Sequence, residues 1–281
     1  MPESAEEVYA RVVAAVGPGV TQPHEGDRVV ALTKFGGYSD TVAVPASRVF
    51  RFPDRLSDAE AAAVPVAYLT AAIALYKMAA VTAGETVLVH NAGGALGIAA
   101  TQLARLKRAT VIGTASVAKH DALRRFGVDL AIDYRHGNVE ADVRRFTRGR
   151  GVDVVLDPIG GKSFGASYRM LAPLGRLVML GMSSMSGERR NALRILQSWW
   201  AMKSFAPLSL INRNRGVFGL HAGHLWEERR QLQPLMDLVL TELSATRLDP
   251  VVAKTFPLER VADAHRYIHS RSNIGKVVLT T

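Results

Sequence analysis

Thr86-Val87-Leu88-Val89-His90-Asn91-Ala92-Gly93-Gly94-Ala95-Leu96-Gly97 carries a short apolar run straight into a glycine-rich turn. The residues after it, Gly94 to Lys107, repeat apolar positions at helical spacing. A strand that runs through glycines into a helix is built to seat a phosphate. Glycine lets the backbone approach closely, and the free N–H groups and positive dipole end of the new helix face the anion. Gly93, Gly94 and Gly97 supply that freedom, and Gly97 also permits tight packing of helix on strand. Asn91 stands where the general dinucleotide fingerprint has its first glycine. Asparagine tolerates left-handed backbone better than most residues, so the turn survives. The competing reading is a structural turn that binds nothing. The chain around the turn argues against it.

Downstream, strand and helix patterns alternate. Strands are predicted at Thr110–Gly113, Leu130–Asp133, Val152–Asp157 and Arg176–Gly181. Helices are predicted at Lys119–Phe126, Val139–Thr147 and Ser163–Leu171. Apolar runs of this kind between amphipathic helices predict an α/β domain, a doubly wound parallel sheet covered on both faces. Met182 to Asn214 is irregular in pattern and reads as a loop plus a helix around Trp199 and Trp200. A sixth strand follows at Val217–Leu220 and a long helix at Glu227–Leu243.

Upstream, Ala10–Val16, Arg28–Leu32 and Thr41–Val44 are valine-rich and punctuated by glycine, which predicts a small β-rich lobe. Ser57 and Glu60 have the spacing of a capping box at the start of a helix. The alanine-rich run Ala61–Tyr76 then reads as a buried helix joining two domains; it is short for a membrane span. The tail returns to β-type patterning, with a helix at Leu258–His269 and a last strand at Lys276–Leu279.

Bulk properties narrow the function. Apolar residues make up 48% of 281, and mean hydropathy is +0.08, as in a soluble globular chain. There is no cysteine, which excludes disulfides and any thiolate zinc site. The eight histidines do not cluster at metal spacing, so no metal is expected. Net charge is +10, but the basic residues are scattered doublets such as Arg124-Arg125 and Arg144-Arg145, typical of solvated helix faces. No nucleic-acid motif accompanies them, so nucleic acid is not an expected partner. The acidic start, Met1 to Glu7, is unlike a signal peptide, and no integral membrane segment is expected.

Which dinucleotide is addressed at the end of the second strand. NAD sites place a carboxylate there for the ribose 2′-hydroxyl. Here the residues are Gly113-Thr114-Ala115-Ser116-Val117-Ala118-Lys119-His120, with no acid among them. Ser116 can donate to a 2′-phosphate and Lys119 can supply charge, which favours NADP(H). The competing reading, that Lys119 merely starts a helix, is the weaker one. Tyr134, after the third strand, can close over the adenosine end; taken alone it is equally a packing residue.

At this point the residues resemble a known family. Gly26-Asp27-Arg28-Val29, Gly37-Tyr38, Leu56 to Pro65, His90 to Gly97, Gly113 to His120, Asp133-Tyr134 and Asp157-Pro158-Ile159-Gly160-Gly161 carry the resemblance. So do Arg190-Asn191, Trp199-Trp200, Asn214-Arg215, Gly219-Leu220-His221 and Asn273 to Leu279. The chain is similar to the zinc-free quinone-oxidoreductase branch of the medium-chain dehydrogenase/reductase superfamily, and within it to the vesicle amine transport protein homologues and their bacterial relatives. The resemblance implies a Rossmann domain at 63–245. It also implies a partial, β-rich, chaperonin-10-like catalytic domain built from 1–62 and 246–281. It implies NADPH as hydride donor and a quinone, enone or similar activated double bond as acceptor, in the cytoplasm. By position it places Gly94 and Gly97 at the pyrophosphate, Ser116, Lys119 and Tyr134 around the 2′-phosphate, and Thr70 and Gly181 near the nicotinamide. It sets Arg271 towards the phosphate end and strand 217–220 on a homodimer axis. The family has further residues before the point where this chain begins, including part of the substrate pocket, so the amino end reads as shortened. The catalytic acid is therefore not assigned. Tyr38 and Tyr68 are candidates that read more readily as packing residues. The alternative function is a truncated NADPH-binding module without turnover.

Overall fold

A computed structural model describes residues 7–33, 36–181, 205–225 and 228–281. The chain divides into two compact units. One comprises Met1–Thr70, Gly94–Ala99 and Ala222–Thr281; the other comprises Ala71–Gly93 and Ala100–His221.

In the first unit, β1 (Glu7–Val12), β2 (Arg28–Thr33) and β3 (Val49–Arg51) form an antiparallel sheet in that order. The strand expected at Thr41–Val44 does not form; β3 takes its place beside β2. The reason is local. The Ser39 hydroxyl lies 2.7 Å from both the Gly36 and Thr41 carbonyls, which holds the chain in a turn there. Strand β1 also ends earlier than its valine run, at Val12.

Helix α1 (Asp58–Ala62) starts on the capping box expected of Ser57 and Glu60. The Glu60 amide donates to Ser57 Oγ at 3.2 Å, and the Ser57 amide donates to Glu60 Oε2 at 2.8 Å. Those hydrogen bonds hold the Glu60 carboxyl below its ordinary pKa. The alanine-rich run breaks after α1, resumes as α2 (Pro65–Ala72) and closes in a π-helical turn at Ile73–Met78. Its residues from Ala61 to Leu75 are buried except Val66, as the absence of charge required.

Among its described residues the second unit holds six parallel strands: β4 (Thr86–Val89), β5 (Thr110–Ala115), β6 (Leu130–Asp133), β7 (Val152–Asp157), β8 (Leu171–Met179) and β9 (Gly216–Gly219). Their order in the sheet is β6-β5-β4-β7-β8-β9. Helices α3 (Ala95–Leu106), α4 (His120–Arg125), α5 (Val139–Phe146), α6 (Lys162–Met170) and α7 (Pro207–Arg213) alternate with them. This is the doubly wound α/β arrangement, with the order reversing between β4 and β7. Val87, Leu88, Val111, Ile112, Val154, Val155 and Leu177 are fully buried, so these strands read as continuous apolar runs and not as alternating ones.

Strand β8 starts five residues before the expected Arg176. Its pairing with β7 shifts register between Val152 and Val154, and Leu174 takes left-handed backbone with φ 64°. The helix expected around Trp199 and Trp200 lies outside the described residues. Helix α7, inside the stretch read as irregular, begins with Pro207 at its first position, where proline costs no helical hydrogen bond.

The chain returns to the first unit with α8 (Arg229–Ser244), β10 (Val252–Pro257), α9 (Val261–His269) and β11 (Lys276–Thr280); β10 and β11 pair in parallel. Arg55 caps the carboxyl end of α8 there, donating from Nε and Nη2 to the Leu243 carbonyl at 3.0 and 2.6 Å. Among the described residues, no helix is long and apolar enough to cross a membrane.

One ion pair braces the sheet of the second unit at the end away from the glycine turn. Arg176 on β8 forks onto Glu85 at 2.6 and 2.9 Å and also donates to the Ala79 carbonyl. Partial burial alone would raise the Glu85 pKa. The Arg176 hydrogen bonds, the Thr82 amide and the Arg176 charge outweigh it and hold the carboxyl below its ordinary value. Both side chains are about one-fifth exposed. Arg176→Ala is expected to cost about 2–4 kcal/mol, because it strands a largely desolvated carboxylate and a carbonyl. Denaturant unfolding of the variant measures this; a loss under about 0.5 kcal/mol would place the pair with ordinary surface ion pairs.

Candidate functional site

The glycine turn leaves the carboxyl end of β4 where the sheet order reverses, the place where open α/β sheets bind ligands. Asn91 adopts φ 53°, the left-handed backbone expected of it, and its side chain is exposed. The turn is tied to β5: the Ala92 amide donates to the Thr114 carbonyl at 3.0 Å, and the Asn91 amide to Thr114 Oγ1 at 3.3 Å. Gly113 makes this approach feasible. A Cβ there would stand 2.9 Å from Ala92 Cβ and 3.2 Å from Val128. Gly94 pairs as an isolated parallel bridge with Gly275, and Gly97 lies buried in the first turn of α3.

At the end of β5, Ser116 sits at the start of a 3-10 turn, Val117–Lys119, that leads into α4. The aliphatic stem of Lys119 lies over Gly93: a Cβ on Gly93 would come within 2.8 Å of Lys119 Cδ. Burial lowers the Lys119 pKa, Tyr134 opposes that shift, and Arg135 adds to it. Tyr134 is 41% exposed, and the Arg135 guanidinium lies 5.8 Å over its ring. Lys119 thus lies beside the turn, within electrostatic reach of Tyr134 and Arg135, and β5 itself ends without a carboxylate, while Asp133 pairs with Ala115 at the end of β6. Arg135 was not anticipated from the sequence. Its signal was adjacency to Tyr134, which carries no chemistry until β6 places both.

Gly181 follows β8, and a Cβ there would lie 3.8 Å from the Pro158 carbonyl oxygen. Thr70 is 9% exposed near the end of α2, and Arg271 follows α9 in left-handed backbone with φ 57°. Both belong to the other unit. There, Tyr68 is buried at 2% exposure, and burial pushes its phenol pKa well up, which suits packing and not proton transfer. Tyr38 is exposed, with its hydroxyl 3.4 Å from His265 Nε2.

Beneath the turn runs a chain of buried polar groups that sequence reading missed. His90 Nδ1 is 3.1 Å from Thr114 Oγ1, and its Nε2 is 3.1 Å from Ser167 Oγ. Ser167 donates to Asp157 Oδ2 at 2.6 Å, and Ser163 donates to the same oxygen at 2.7 Å. Asp157 Oδ1 accepts from the Ile159 amide at 2.8 Å and the Gly160 amide at 3.4 Å. Thr114, Asp157 and Ser167 are at most 1% exposed and His90 is 6% exposed. Burial holds the His90 pKa below the ordinary histidine value against the pull of the Asp157 charge. The available sequence signal was Asp157 ending the mostly apolar strand β7, with Ser163 and Ser167 four apart on the next helix.

Residues 126–279, more than half of the chain, match the family described as zinc-binding dehydrogenase. The synaptic vesicle membrane protein VAT-1 homologue of zebrafish is 38% identical over 272 residues, 96% of this chain and 56% of its own length. The human homologue is 37% identical over 272 residues, 96% of this chain and 69% of its own length. The chain belongs to the VAT-1 homologues of the medium-chain dehydrogenase/reductase superfamily. It thus spans little more than half of the zebrafish member's length and about two thirds of the human one's. Among solved structures of the superfamily, a mycobacterial protein complexed with NADPH superimposes with TM-score 0.85 at 28% identity, covering 98% of this chain and 82% of that one. A Pseudomonas syringae quinone oxidoreductase superimposes with TM-score 0.82 at 28% identity, covering 98% and 81%. This chain shares their fold. With no cysteine among its 281 residues, it offers no thiolate ligand to a zinc ion. Among the described residues, no three histidine or acidic side chains cluster to hold a metal.

Proposed function

We propose that this chain binds NADPH and transfers hydride to a quinone, enone or similar activated double bond without zinc. The observation that carries the reading is the left-handed Asn91 turn at the sheet reversal, with Lys119 packed over Gly93, Arg135 acting on Lys119 by its charge, and no acid on β5 itself. A doubly charged 2′-phosphate fits that donor set: it relieves the mutual repulsion of the two cations and offers Ser116 an acceptor. Asn91, Gly93, Gly94 and Gly97 would bring backbone close to the pyrophosphate. Thr70 and Gly181 would flank the nicotinamide, and Arg271 would lie towards the phosphates. When bound, NADPH supplies a hydride from its nicotinamide ring. The protein's part is to orient the acceptor, exclude water and donate hydrogen bonds to the oxygen on which charge develops. The same reading assigns 63–245 to cofactor binding and 1–62 with 246–281 to the substrate side, and places the protein in the cytoplasm. It also includes a homodimer: β9 lies at an edge of the described sheet, with Phe218 37% exposed, and pairing would cover that edge.

Titrating the protein with NADPH and with NADH, following thermal stability, tests the core of this reading. A ligand that binds only the folded state raises stability with the logarithm of its concentration over Kd. NADPH is expected to stabilise clearly more than NADH, and quinones or enones are then expected to oxidise it. No shift with either ligand would sink the reading. Stabilisation without turnover on any quinone or enone would favour the NADPH-binding module instead.

A further inference from the structure

We propose that His90 is a positioning residue for the cofactor turn, locked as its Nε2–H tautomer by Asp157 acting through Ser167. The inference rests on the NADPH reading for its consequence, but not for its geometry.

The proton inventory gives the direction of every bond. A carboxylate accepts only, so the single Ser167 hydroxyl proton goes to Asp157 Oδ2, 2.6 Å away. Ser167 Oγ is then an acceptor for His90, and Nε2 must carry the imidazole proton across 3.1 Å. The ring is neutral, since burial holds its pKa low, so Nδ1 is bare and accepts the Thr114 hydroxyl proton across 3.1 Å. Thr114 Oγ1, having given its proton to His90, accepts from the Asn91 amide at 3.3 Å. The run from the Asn91 amide to the Asp157 carboxylate therefore uses each hydroxyl once as donor and once as acceptor. Reversing the His90 tautomer would set two acceptors against each other, bare Nε2 and Ser167 Oγ, and leave the Thr114 hydroxyl proton without an acceptor.

The chain joins three parts of the candidate site. Asn91 begins the turn. Thr114 sits two residues before Ser116 on the segment that addresses the 2′-phosphate. Asp157 anchors the Ile159 and Gly160 amides beyond β7. Positioning a left-handed residue through a hydroxyl that cannot rotate away keeps the turn's amides aimed before the cofactor arrives. Such preorganisation strengthens binding by removing an ordering cost.

The two halves of the imidazole can be separated. Asparagine at position 90 places an acceptor near the Nδ1 position and keeps the Thr114 half. Glutamine places a donor near the Nε2 position and keeps the Ser167 half. His90→Gln is expected to weaken NADPH about tenfold, the effect of one unmade buried hydrogen bond, and His90→Asn no more than about threefold. Amide hydrogen exchange at Asn91, read without cofactor, is expected to quicken in His90→Gln and stay near wild type in His90→Asn. On the unmodified protein, nitrogen NMR of the His90 ring is expected to show Nε2 protonated and Nδ1 bare, which needs no variant to fold. An Nδ1–H ring overturns the proposal, as do the two variants weakening NADPH and quickening Asn91 exchange equally. Should the unmodified protein fail to bind NADPH, the functional reading falls, and the tautomer with the Asn91 exchange pattern alone decides the relay.

Discussion

Lys119→Ala is expected to weaken NADPH binding by about 10- to 150-fold and to leave NADH within about twofold, so that most preference between the two cofactors is lost. The magnitude is that of one hydrogen bond to a charged group, about 1.5–3 kcal/mol. Two features place Lys119 at that strength. Burial already lowers its pKa, so its ammonium is partly stripped of water before any anion arrives. Arg135 lowers it further, so a phosphate between them gains from both charges. The aliphatic stem also covers Gly93, and Lys119→Ala removes that cover as well as the charge. Lys119→Met keeps the stem and separates the two effects. Calorimetric titration of the three proteins at fixed ionic strength gives the answer. Equal losses for NADPH and NADH would assign Lys119 to the turn's packing and not to the 2′-phosphate. An unchanged NADPH affinity would remove it from the site.

Asp157→Ala is expected to carry the largest stability loss, about 3–5 kcal/mol. Four donors converge on this carboxylate: the Ser163 and Ser167 hydroxyls and the Ile159 and Gly160 amides. Each buried donor left without a partner costs about 1–3 kcal/mol, and the costs overlap because they share one cavity. The carboxylate and Ser167 are fully buried, while Ile159 and Ser163 are half-buried. Asp157→Asn keeps the shape but turns one acceptor into a donor facing a serine. It is expected to fall between wild type and alanine. Denaturant unfolding reads both variants; a loss under about 1 kcal/mol for Asp157→Ala would mean that the donors find other partners or water.

The alternation of strands and helices is legible in the sequence because it rests on local rules. Leu130–Asp133 and Val152–Asp157 form as predicted to the residue, since an apolar run of that length between amphipathic helices has one low-energy use. The capping box at Ser57 and Glu60 spans four residues, so its geometry is encoded in its spacing. The left-handed Asn91 follows from which side chains tolerate that backbone. Where the sequence misleads, a distant or competing partner decides. Thr41–Val44 has a strand's composition, but Ser39 holds the preceding chain in a turn and Val49–Arg51 takes the edge of β2. Leu171–Gly175 joins β8 because β7 offers a shifted register.

The site divides along the same line. By itself the sequence determined a glycine turn between strand and helix, a second strand ending without an acid, and a lysine a few residues on. Those are statements about neighbours in the chain, and steric limits on the backbone are enough to derive them. The placing of Arg135 beside Lys119, and the path from Asn91 through Thr114, His90 and Ser167 to Asp157, were decided only by the tertiary structure. His90 and Ser167 stand 77 residues apart. No local propensity selects their contact. It comes from the order of β5, β4 and β7 in the sheet and from α6 packing across β7. The physical reason is burial: a polar group enclosed by packed strands must find its partner there, and folding fixes which one.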